Sequence, residues 1–293
     1  MCGLMAALVI VGSYATLVSS GHAPVLIPTP AFYTNDSAPK YAPVSTGYIP
    51  LGRTEISVPV LMYHYIGDLP RPYDQLTYNL TVTPEHFTAQ MDYLKRNGYH
   101  PITFDDLRGY FGGQQMLPSR PVVITLDDGY RDLYTDAFPI LRAHNFKAVA
   151  YIVTSFVDRP RYVTSAMILE MDKAGIEIAA HTVDHADVTK SAAPYVTYEV
   201  VASKQWLEKL VGHPVVDFAY PSGKFNILDE QILQRNGYST AVTEQDSTYH
   251  QWATRYAWSR TRVGGAWQLP DFIKGLGPVE PYLITVTQPQ SFS

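Results

Sequence analysis

The sequence predicts an α/β fold built on a parallel sheet that is either open or closed into a barrel. Apolar strand segments alternate with helical segments from Val58 onward, which is typical of parallel sheets whose faces are covered by helices. Polar side chains follow the ends of several strands, at the edge where parallel α/β proteins build their sites. The length of 293 residues accommodates one barrel domain preceded by further segments.

The first elements of this fold are a short strand and a helix. Val58–Tyr63 is an apolar run that ends at His64. The following helix is expected to begin with Thr83 as its N-cap and Pro84 at its first position. Apolar residues at helical spacing follow this start signal.

The later elements continue the alternation of strands and helices. Each later helix is followed by a glycine or an asparagine–glycine pair, residues that commonly terminate helices. The remaining predicted strands are Pro121–Leu126, Lys147–Val153, Ile176–Ala180, Val215–Ala219, Thr240–Val242 and Arg260–Val263, and the remaining predicted helices are Ser165–Ala174, Tyr195–Val211 and Leu228–Asn236.

Three regions are expected along the chain. Residues 1–23 contain no Lys, Arg, Asp or Glu, and small residues follow their apolar run, which predicts a signal peptide or a membrane anchor. Residues 24–56 are rich in proline and form the expected linker. Residues 57–293 form the expected folded domain. We therefore expect an extracytoplasmic protein that is secreted or anchored by its N-terminal segment.

Composition and charge exclude several classes of function. The chain has 22 Lys and Arg against 27 Asp and Glu, a net charge of −5, so we expect no nucleic-acid partner. Hydrophobic residues make up 46% and charged residues 17%, which suits a globular core. Cys2 is the only cysteine. An intrachain disulfide is therefore impossible, and any metal must be held by histidines and carboxylates.

Two adjacent carboxylates, Asp127 and Asp128, directly follow the strand Pro121–Leu126. Neighbouring side chains at a strand end point in different directions. One carboxylate can therefore ligate a cation while the other takes a proton from a bound water. Gly129 permits the turn that exposes both side chains. Taken alone, this pattern is more often a solvated turn.

A pair of histidines, His181 and His185, follows the strand Ile176–Ala180. Histidines four residues apart lie on one face if the segment turns helically, as a metal site requires. With Asp128 they would form a two-histidine, one-carboxylate set that leaves coordination positions open. The HExxH pattern of zinc proteases is absent because position two is not glutamate.

The segment Asp217–Gly223 ends another strand in a tight turn containing Pro221 and Gly223. Such a turn can present backbone N–H groups to a reacting carbonyl, as an oxyanion site needs. As an isolated feature, the turn carries little information.

The three segments TLDDGY, HTVDH and FAYPSG occur in this order along the chain. Together they resemble the motifs of the polysaccharide deacetylases of the NodB-homology type, carbohydrate esterase family 4. The resemblance covers roughly Val58 to Val263 and implies a distorted (β/α) barrel of about seven strands, with the NodB-homology core at about residues 119–293. It also implies metal-dependent hydrolysis of N-acetyl groups on sugars.

The resemblance assigns roles to the motif residues. It implies that Asp127 is the general base and that Asp128 is a metal ligand. It implies that His181 and His185 are the other two protein ligands. The backbone N–H of Tyr220 is expected to share the negative charge of the tetrahedral intermediate with the metal.

The resemblance also implies an arginine beside the general base and a histidine as the general acid. Arg260 resembles the arginine that orients the base, with Arg262 as a competitor for the role. Many family members carry the general acid on a histidine near the C-terminus, whereas no histidine follows His250 here. His64 resembles the acid of a rearranged branch, which includes exported poly-N-acetylglucosamine deacetylases and places this strand first. The first and last strands of a closed barrel are neighbours, so His64 is expected to be the acid.

The leading hypothesis is a hydrolase that removes N-acetyl groups from an N-acetylglucosamine-containing polysaccharide of a cell wall or exopolysaccharide. Its cofactor is expected to be a divalent ion, zinc first, with nickel and cobalt as alternatives. An O-acetyl esterase of the xylan type is the alternative enzyme, because the same chemistry serves amides and esters. A catalytically silent carbohydrate-binding protein is the alternative outside enzymes. The expected partner is the polysaccharide, possible membrane contact is confined to residues 1–23, and no protein partner is predicted.

Overall fold

The structure, a computed structural model, describes residues 54–69 and 73–278 in full. Of the other residues it describes only strand backbone: β1 (Val9–Val11), β2 (Tyr14–Thr16) and β3 (Leu26–Pro28), which pair antiparallel, and β4 (Tyr48–Ile49). The expected segment 1–23 and residues 24–53 of the expected linker therefore lie outside the fully described residues. Residues 54–56, the expected end of the linker, belong to the folded domain instead, because Ile56 is buried in its core. Within the described part of the chain, no helix combines the length and the apolar character needed to cross a membrane.

The described domain alternates strands and helices from residue 55 onward. Its strands are β5 (Glu55–Ser57), β6 (Val60–Tyr63), β7 (Tyr65–Ile66), β8 (Thr81–Val82), β9 (His100–Ile102), β10 (Leu117–Pro118), β11 (Pro121–Leu126), β12 (Val149–Ile152), β13 (Glu177–Ala180), β14 (Asp217–Ala219), β15 (Thr240–Val242), β16 (Tyr249–Gln251) and β17 (Thr261–Arg262). Its helices are α1 (Gln75–Leu80), α2 (Pro84–Arg96), α3 (Phe104–Phe111), α4 (Phe138–His144), α5 (Ser165–Lys173), α6 (Ala193–Val211), α7 (Ile227–Arg235) and α8 (Leu269–Gly275).

Seven of these strands form one curled parallel sheet in the order β15-β14-β13-β12-β11-β6-β17, and β9 also pairs with β11. All the pairings along this path are parallel. The two ends of the path approach each other, because Trp258, just before β17, makes a parallel bridge to Val242 of β15. The expected distorted (β/α) barrel of about seven strands is thus confirmed.

Two hydrophobic clusters lie on the two faces of this sheet. Alternate residues of each strand contribute to different clusters, as the two-residue period of a strand requires. In β11, Ile124 belongs to the larger cluster, which contains most of the buried helix residues, and Val123 belongs to the smaller one, to which helix α3 contributes. Trp258 is 1% exposed and stacks on Phe104 at 5.8 Å in the smaller cluster, so it fills the core.

Side-chain hydrogen bonds explain the starts of several helices and one shifted strand boundary. Helix α2 starts as expected, with Pro84 in its first turn and the Thr83 hydroxyl accepting from the backbone N–H of His86 at 3.3 Å. Strand β14 starts two residues later than expected. The reason is that the backbone N–H of Val215 donates to the Glu208 side chain at 3.0 Å, which takes this amide out of the sheet.

Candidate active site

The sequence-predicted site residues follow the carboxyl ends of neighbouring strands. His64 follows β6, Asp127 and Asp128 follow β11, and His181 follows β13. The parallel order of these strands brings the four side chains to one end of the sheet. All four residues are at most 9% exposed, so the site is set into the end of the barrel.

Asp127 is held by a buried arginine. Both terminal nitrogens of Arg260 donate to the Asp127 carboxylate at 2.7 Å, and its Nε donates to the carbonyl of Thr243 at 2.9 Å. Burial by itself raises the pKa of Asp127, but the Arg260 guanidinium outweighs it and lowers that pKa below its usual value. Arg262, the competitor, is exposed and contacts Glu244 instead.

Asp128, His181 and His185 form a compact group whose ligand atoms all lie within 4.8 Å of one another. The Oδ1 of Asp128 is 3.3 Å from the Nε2 of His181 and 3.4 Å from the Nε2 of His185. The side chains of Asp128 and His181 are 11% and 3% exposed, whereas that of His185 is 34% exposed. Access to the group from solvent is therefore on the His185 side.

The donor atoms of this group suit a divalent cation. The Nδ1 of His181 is 2.7 Å from the carbonyl of Ala219, so this nitrogen carries the proton and Nε2 presents a lone pair toward Asp128. The Oδ1 of Asp128 is buried and has no hydrogen-bond partner among the described residues. Facing lone pairs repel each other unless a cation lies between them. Two imidazole nitrogens and a carboxylate also match the ligands that zinc, nickel and cobalt accept.

The loop that carries the two histidines is not helical. The expectation that a helical turn brings them onto one face is therefore wrong. Thr182 and His185 adopt left-handed backbone conformations, with φ of 67° and 57°, and these turns bring the rings to a centroid distance of 4.9 Å. The carboxylate of Glu199 on α6 accepts from the backbone N–H groups of Val183 and Asp184 at 2.8 and 2.9 Å. Glu199 is fully buried and therefore anchors the loop between the two histidines.

A family model described as polysaccharide deacetylase matches residues 114–241, the stretch that supplies Asp127, Asp128, His181 and His185. This part of the chain is a polysaccharide deacetylase domain. A Bacillus subtilis (strain 168) protein named as a polysaccharide deacetylase is 28% identical over 206 residues, which are 70% of this chain and 71% of that protein.

Two further proteins similar to this deacetylase are a solved structure and a relative with a named substrate. The solved structure of the Streptococcus pyogenes deacetylase PplD in complex with acetate aligns with a TM-score of 0.72 and 27% identity, over 77% of this chain and all of that one. The poly-β-1,6-N-acetyl-D-glucosamine N-deacetylase of Escherichia coli (strain K12) is 40% identical over 81 residues. Those residues are 28% of this chain and 12% of the E. coli protein.

His64 of the deacetylase is buried beside both carboxylates. Burial lowers the pKa of His64, while the negative charges of Asp127 and Asp128 oppose this shift. The preceding residue is fixed in the core, because the Tyr63 hydroxyl donates to Gln90 at 2.8 Å. The position of His64 at the end of β6, next to β17, is the one expected from neighbouring first and last barrel strands.

Tyr220 does not offer the free backbone N–H that was expected of it. This N–H donates to the carbonyl of Val242 at 3.2 Å, as part of the pairing between β14 and β15. Pro221 has no N–H, and the N–H of Gly223 donates to the carbonyl of Tyr220 at 2.8 Å. Within the described turn, the N–H of Ser222 is left without a hydrogen-bond partner, and Ser222 adopts φ 54° and ψ 24°.

Sequence reasoning missed Glu199 and Ser222. Glu199 lies 14 residues beyond His185 on a helix whose pattern indicates only packing, so nothing local connects it to the histidine loop. Ser222 carried a usable signal, since it lies between a proline, which has no N–H, and a glycine at a turn.

Proposed function

We propose that this deacetylase is an exported, metal-dependent enzyme that removes N-acetyl groups from an N-acetylglucosamine-containing polysaccharide of a cell wall or exopolysaccharide. The observation that carries the proposal is the group Asp128, His181 and His185 beside the pair Asp127 and Arg260. A divalent-ion site next to a buried, oriented carboxylate is the arrangement that metal-assisted hydrolysis requires. The relative that acts on poly-β-1,6-N-acetylglucosamine favours this substrate class.

Asp128, His181 and His185 would hold the divalent ion, with zinc expected first. When bound, such an ion supplies Lewis-acid polarisation of the acetamide carbonyl and lowers the pKa of the attacking water. Asp128 contributes the charge, and both histidines contribute neutral nitrogens. The carbonyl of Ala219 selects the His181 tautomer that leaves Nε2 available as a ligand atom.

Asp127 would act as the general base. Its lowered pKa keeps the carboxylate ionised at neutral pH, so it can accept a proton as the water oxygen bonds to the acetamide carbon. Arg260 orients the carboxylate through both oxygens and fixes the direction in which Asp127 accepts that proton. Arg260 is thus a positioning residue for the base.

His64 would act as the general acid. When the carbon–nitrogen bond breaks, the leaving nitrogen needs a proton to depart as an amine. His64 lies buried at the end of β6, where burial lowers its pKa and the negative charges of Asp127 and Asp128 offset part of that shift in favour of a proton on the ring. The balanced reaction consumes one water and yields acetate and one free amine on the sugar.

The turn after β14 would contribute a backbone donor to the developing oxyanion. Because the Tyr220 N–H is engaged in the sheet, we assign this role to the N–H of Ser222. A backbone donor in a tight turn is preorganised and needs no reorganisation during the reaction. Residues 1–23 remain the proposed signal peptide or anchor for export.

Acetate release by the purified full-length chain tests the proposal. The substrates are acetylated oligomers of β-1,6-linked glucosamine and O-acetylated xylan, and the variants are Asp127→Asn and the control Asp105→Asn, which changes an exposed carboxylate on α3. The proposal expects release from the glucosamine oligomer, loss of this release in Asp127→Asn and unchanged release in Asp105→Asn. Release from xylan alone would establish the esterase alternative. No release from either substrate, with sugar binding retained, would indicate the binding-protein alternative.

A further inference from the structure

A cavity of about 340 Å³ adjoins the candidate active site. Tyr65, which follows His64, and Tyr130, which follows Gly129, form part of its lining, together with Asp132, Thr81 and Arg161. Its volume lies within the roughly 300–1,000 Å³ that small-molecule sites occupy. None of the groups assigned to the reaction lines this cavity, so it has no role in the proposed chemistry.

Tyr65 and Tyr130 give this cavity a rigid aromatic wall, and two rings outside the lining, Tyr162 and Phe156, continue their row. The rings of Tyr65 and Tyr130 stack at 3.9 Å with an interplanar angle of 25°, and Tyr162 stacks on Tyr130 at 5.2 Å. Phe156 extends the row, with its ring 4.7 Å from that of Tyr162. A wall fixed by ring packing loses little conformational entropy when it binds a ligand, and aromatic rings with polar tips suit ligands that are part apolar and part hydroxylated.

One unpaired carboxyl oxygen and one exposed guanidinium lie beside this wall. The Oδ1 of Asp132 is buried and has no hydrogen-bond partner among the described residues, and burial raises the pKa of Asp132 to about 7. A buried unpaired carboxyl oxygen costs free energy unless a ligand or water bonds to it. Arg161 is exposed at the rim and brings donors, whereas Arg131 is occupied by the carbonyls of Arg159 and Pro160.

A larger cavity of about 520 Å³ beside α4 and α5 lacks these features. There the Tyr134 hydroxyl donates to Glu170 at 2.6 Å, and Arg142 lies 3.8 Å from the same carboxylate. Its polar side chains are thus engaged with one another. The smaller cavity is therefore the better candidate for ligand recognition.

We propose that the cavity lined by Tyr65, Tyr130 and Asp132 is a subsite for a pyranose residue that neighbours the residue being deacetylated. The inference rests on the proposed function and adds a second point of contact to the same polymer. A pyranose has an apolar face, which suits the tyrosine wall. It also has adjacent hydroxyls, which suit the acceptor oxygen of Asp132 and the donor groups of Arg161. Continuity along the chain from His64 to Tyr65 and from Asp128 to Tyr130 places this subsite next to the reactive centre.

The experiment compares two substrates of different length in the full-length, metal-loaded chain. One is an acetylated glucosamine pentamer, which spans both positions, and the other is a small aryl acetate, which has no sugar. The variants are Arg161→Met and Asp132→Asn, and the control is Arg142→Met in the larger cavity. We expect kcat/KM for the pentamer to fall about 5- to 30-fold in both variants, as losing one or two hydrogen bonds predicts. The kcat/KM for the aryl acetate and the affinity for zinc are expected to stay unchanged.

A binding measurement separates this inference from the proposed function. Calorimetry in the Asp127→Asn background measures pentamer affinity without hydrolysis, and adding Arg161→Met is expected to raise the Kd by a similar factor. Unchanged pentamer kinetics and affinity in both variants would overturn the subsite, even if the wild type releases acetate. Equal losses for both substrates would overturn it too, because they indicate a general structural defect. No acetate release by the wild type, with pentamer binding that depends on Arg161, would overturn the proposed function alone.

Discussion

Replacing Glu199 tests whether the histidine loop is built to bind a metal. The carboxylate of Glu199 accepts two backbone N–H groups, those of Val183 and Asp184, which lie between His181 and His185. Thr182 and His185 have left-handed backbone conformations, which cost of order 1–3 kcal/mol each and persist only when the surroundings fix them. Without Glu199, the loop is therefore free to relax and move His185 away from Asp128.

The magnitude follows from these two hydrogen bonds. A hydrogen bond to a charged group contributes about 1.5–3 kcal/mol, and loss of a partner that orients a metal ligand typically costs about 10- to 100-fold in metal affinity. We expect Glu199→Ala to weaken zinc binding by about this factor, or about 1.4–2.8 kcal/mol. Glu199→Gln keeps one accepting oxygen and should lose less.

The assay is a zinc titration against a competing chelator, with thermal unfolding measured on the same samples. The matched control is Glu208→Ala, which removes a carboxylate of the same helix that accepts the N–H of Val215 instead. If Glu199→Ala lowers the Tm but leaves the zinc Kd within about threefold of the wild type, the carboxylate only stabilises the fold and the reasoning is refuted. A weakened Kd in the Glu208→Ala control would refute it as well.

Three further predictions concern stability and are measured by denaturant unfolding. The pKa of His250 falls from 6.5 to about 4 through burial, so the unfolded chain binds more protons between these values. The contribution of neutral His250 to the free energy of unfolding is therefore fully present above pH 6.5, and about 3 kcal/mol of it is lost as the pH falls to 4. His250→Gln should remove this part of the pH dependence. An unchanged pH profile in this variant would contradict the prediction. Arg260→Gln leaves Asp127 buried and unpaired, which should lower the free energy of unfolding by about 3–5 kcal/mol. Adding Asp127→Asn should restore much of this loss. A loss below about 1 kcal/mol in Arg260→Gln would contradict the buried pair. Gly223 has φ 64°, and a Cβ there would lie 2.4 Å from a backbone nitrogen, whereas Gly175 has φ 90° and open space around it. Gly223→Ala should therefore lower the free energy of unfolding by about 1–3 kcal/mol more than Gly175→Ala. Equal effects of the two substitutions would contradict this prediction.

The sequence allowed the sheet and the placement of the candidate site residues to be predicted because strand signals in a covered parallel sheet are local. Apolar runs such as Pro121–Leu126 match the observed strand residue for residue, and parallel strands end at one edge. The proximity of His64 to Arg260 followed from one further rule, that the first and last strands of a barrel are neighbours. Here β6 pairs with β17, the strand that directly follows Arg260.

The details of the site could not be predicted because they depend on contacts between distant segments. A left-handed φ is uncommon for residues other than glycine and is an outlier for the β-branched Thr182, and in the histidine loop the contact with Glu199 stabilises it. The amide of Tyr220 was misjudged for a similar reason. Strand-pattern reasoning does not show that Val242 of the next strand accepts its hydrogen bond.

The most direct test of the account measures bound metal and acetate release in the same samples. The full-length chain is stripped with a chelator and titrated with zinc, and both quantities are followed with an acetylated β-1,6-glucosamine oligomer as substrate. Acetate release is expected to rise in proportion to bound zinc and to saturate at one ion per chain, and Asp128→Ala is expected to lose both zinc binding and acetate release. Full release from the metal-free chain, or from Asp128→Ala, would contradict it.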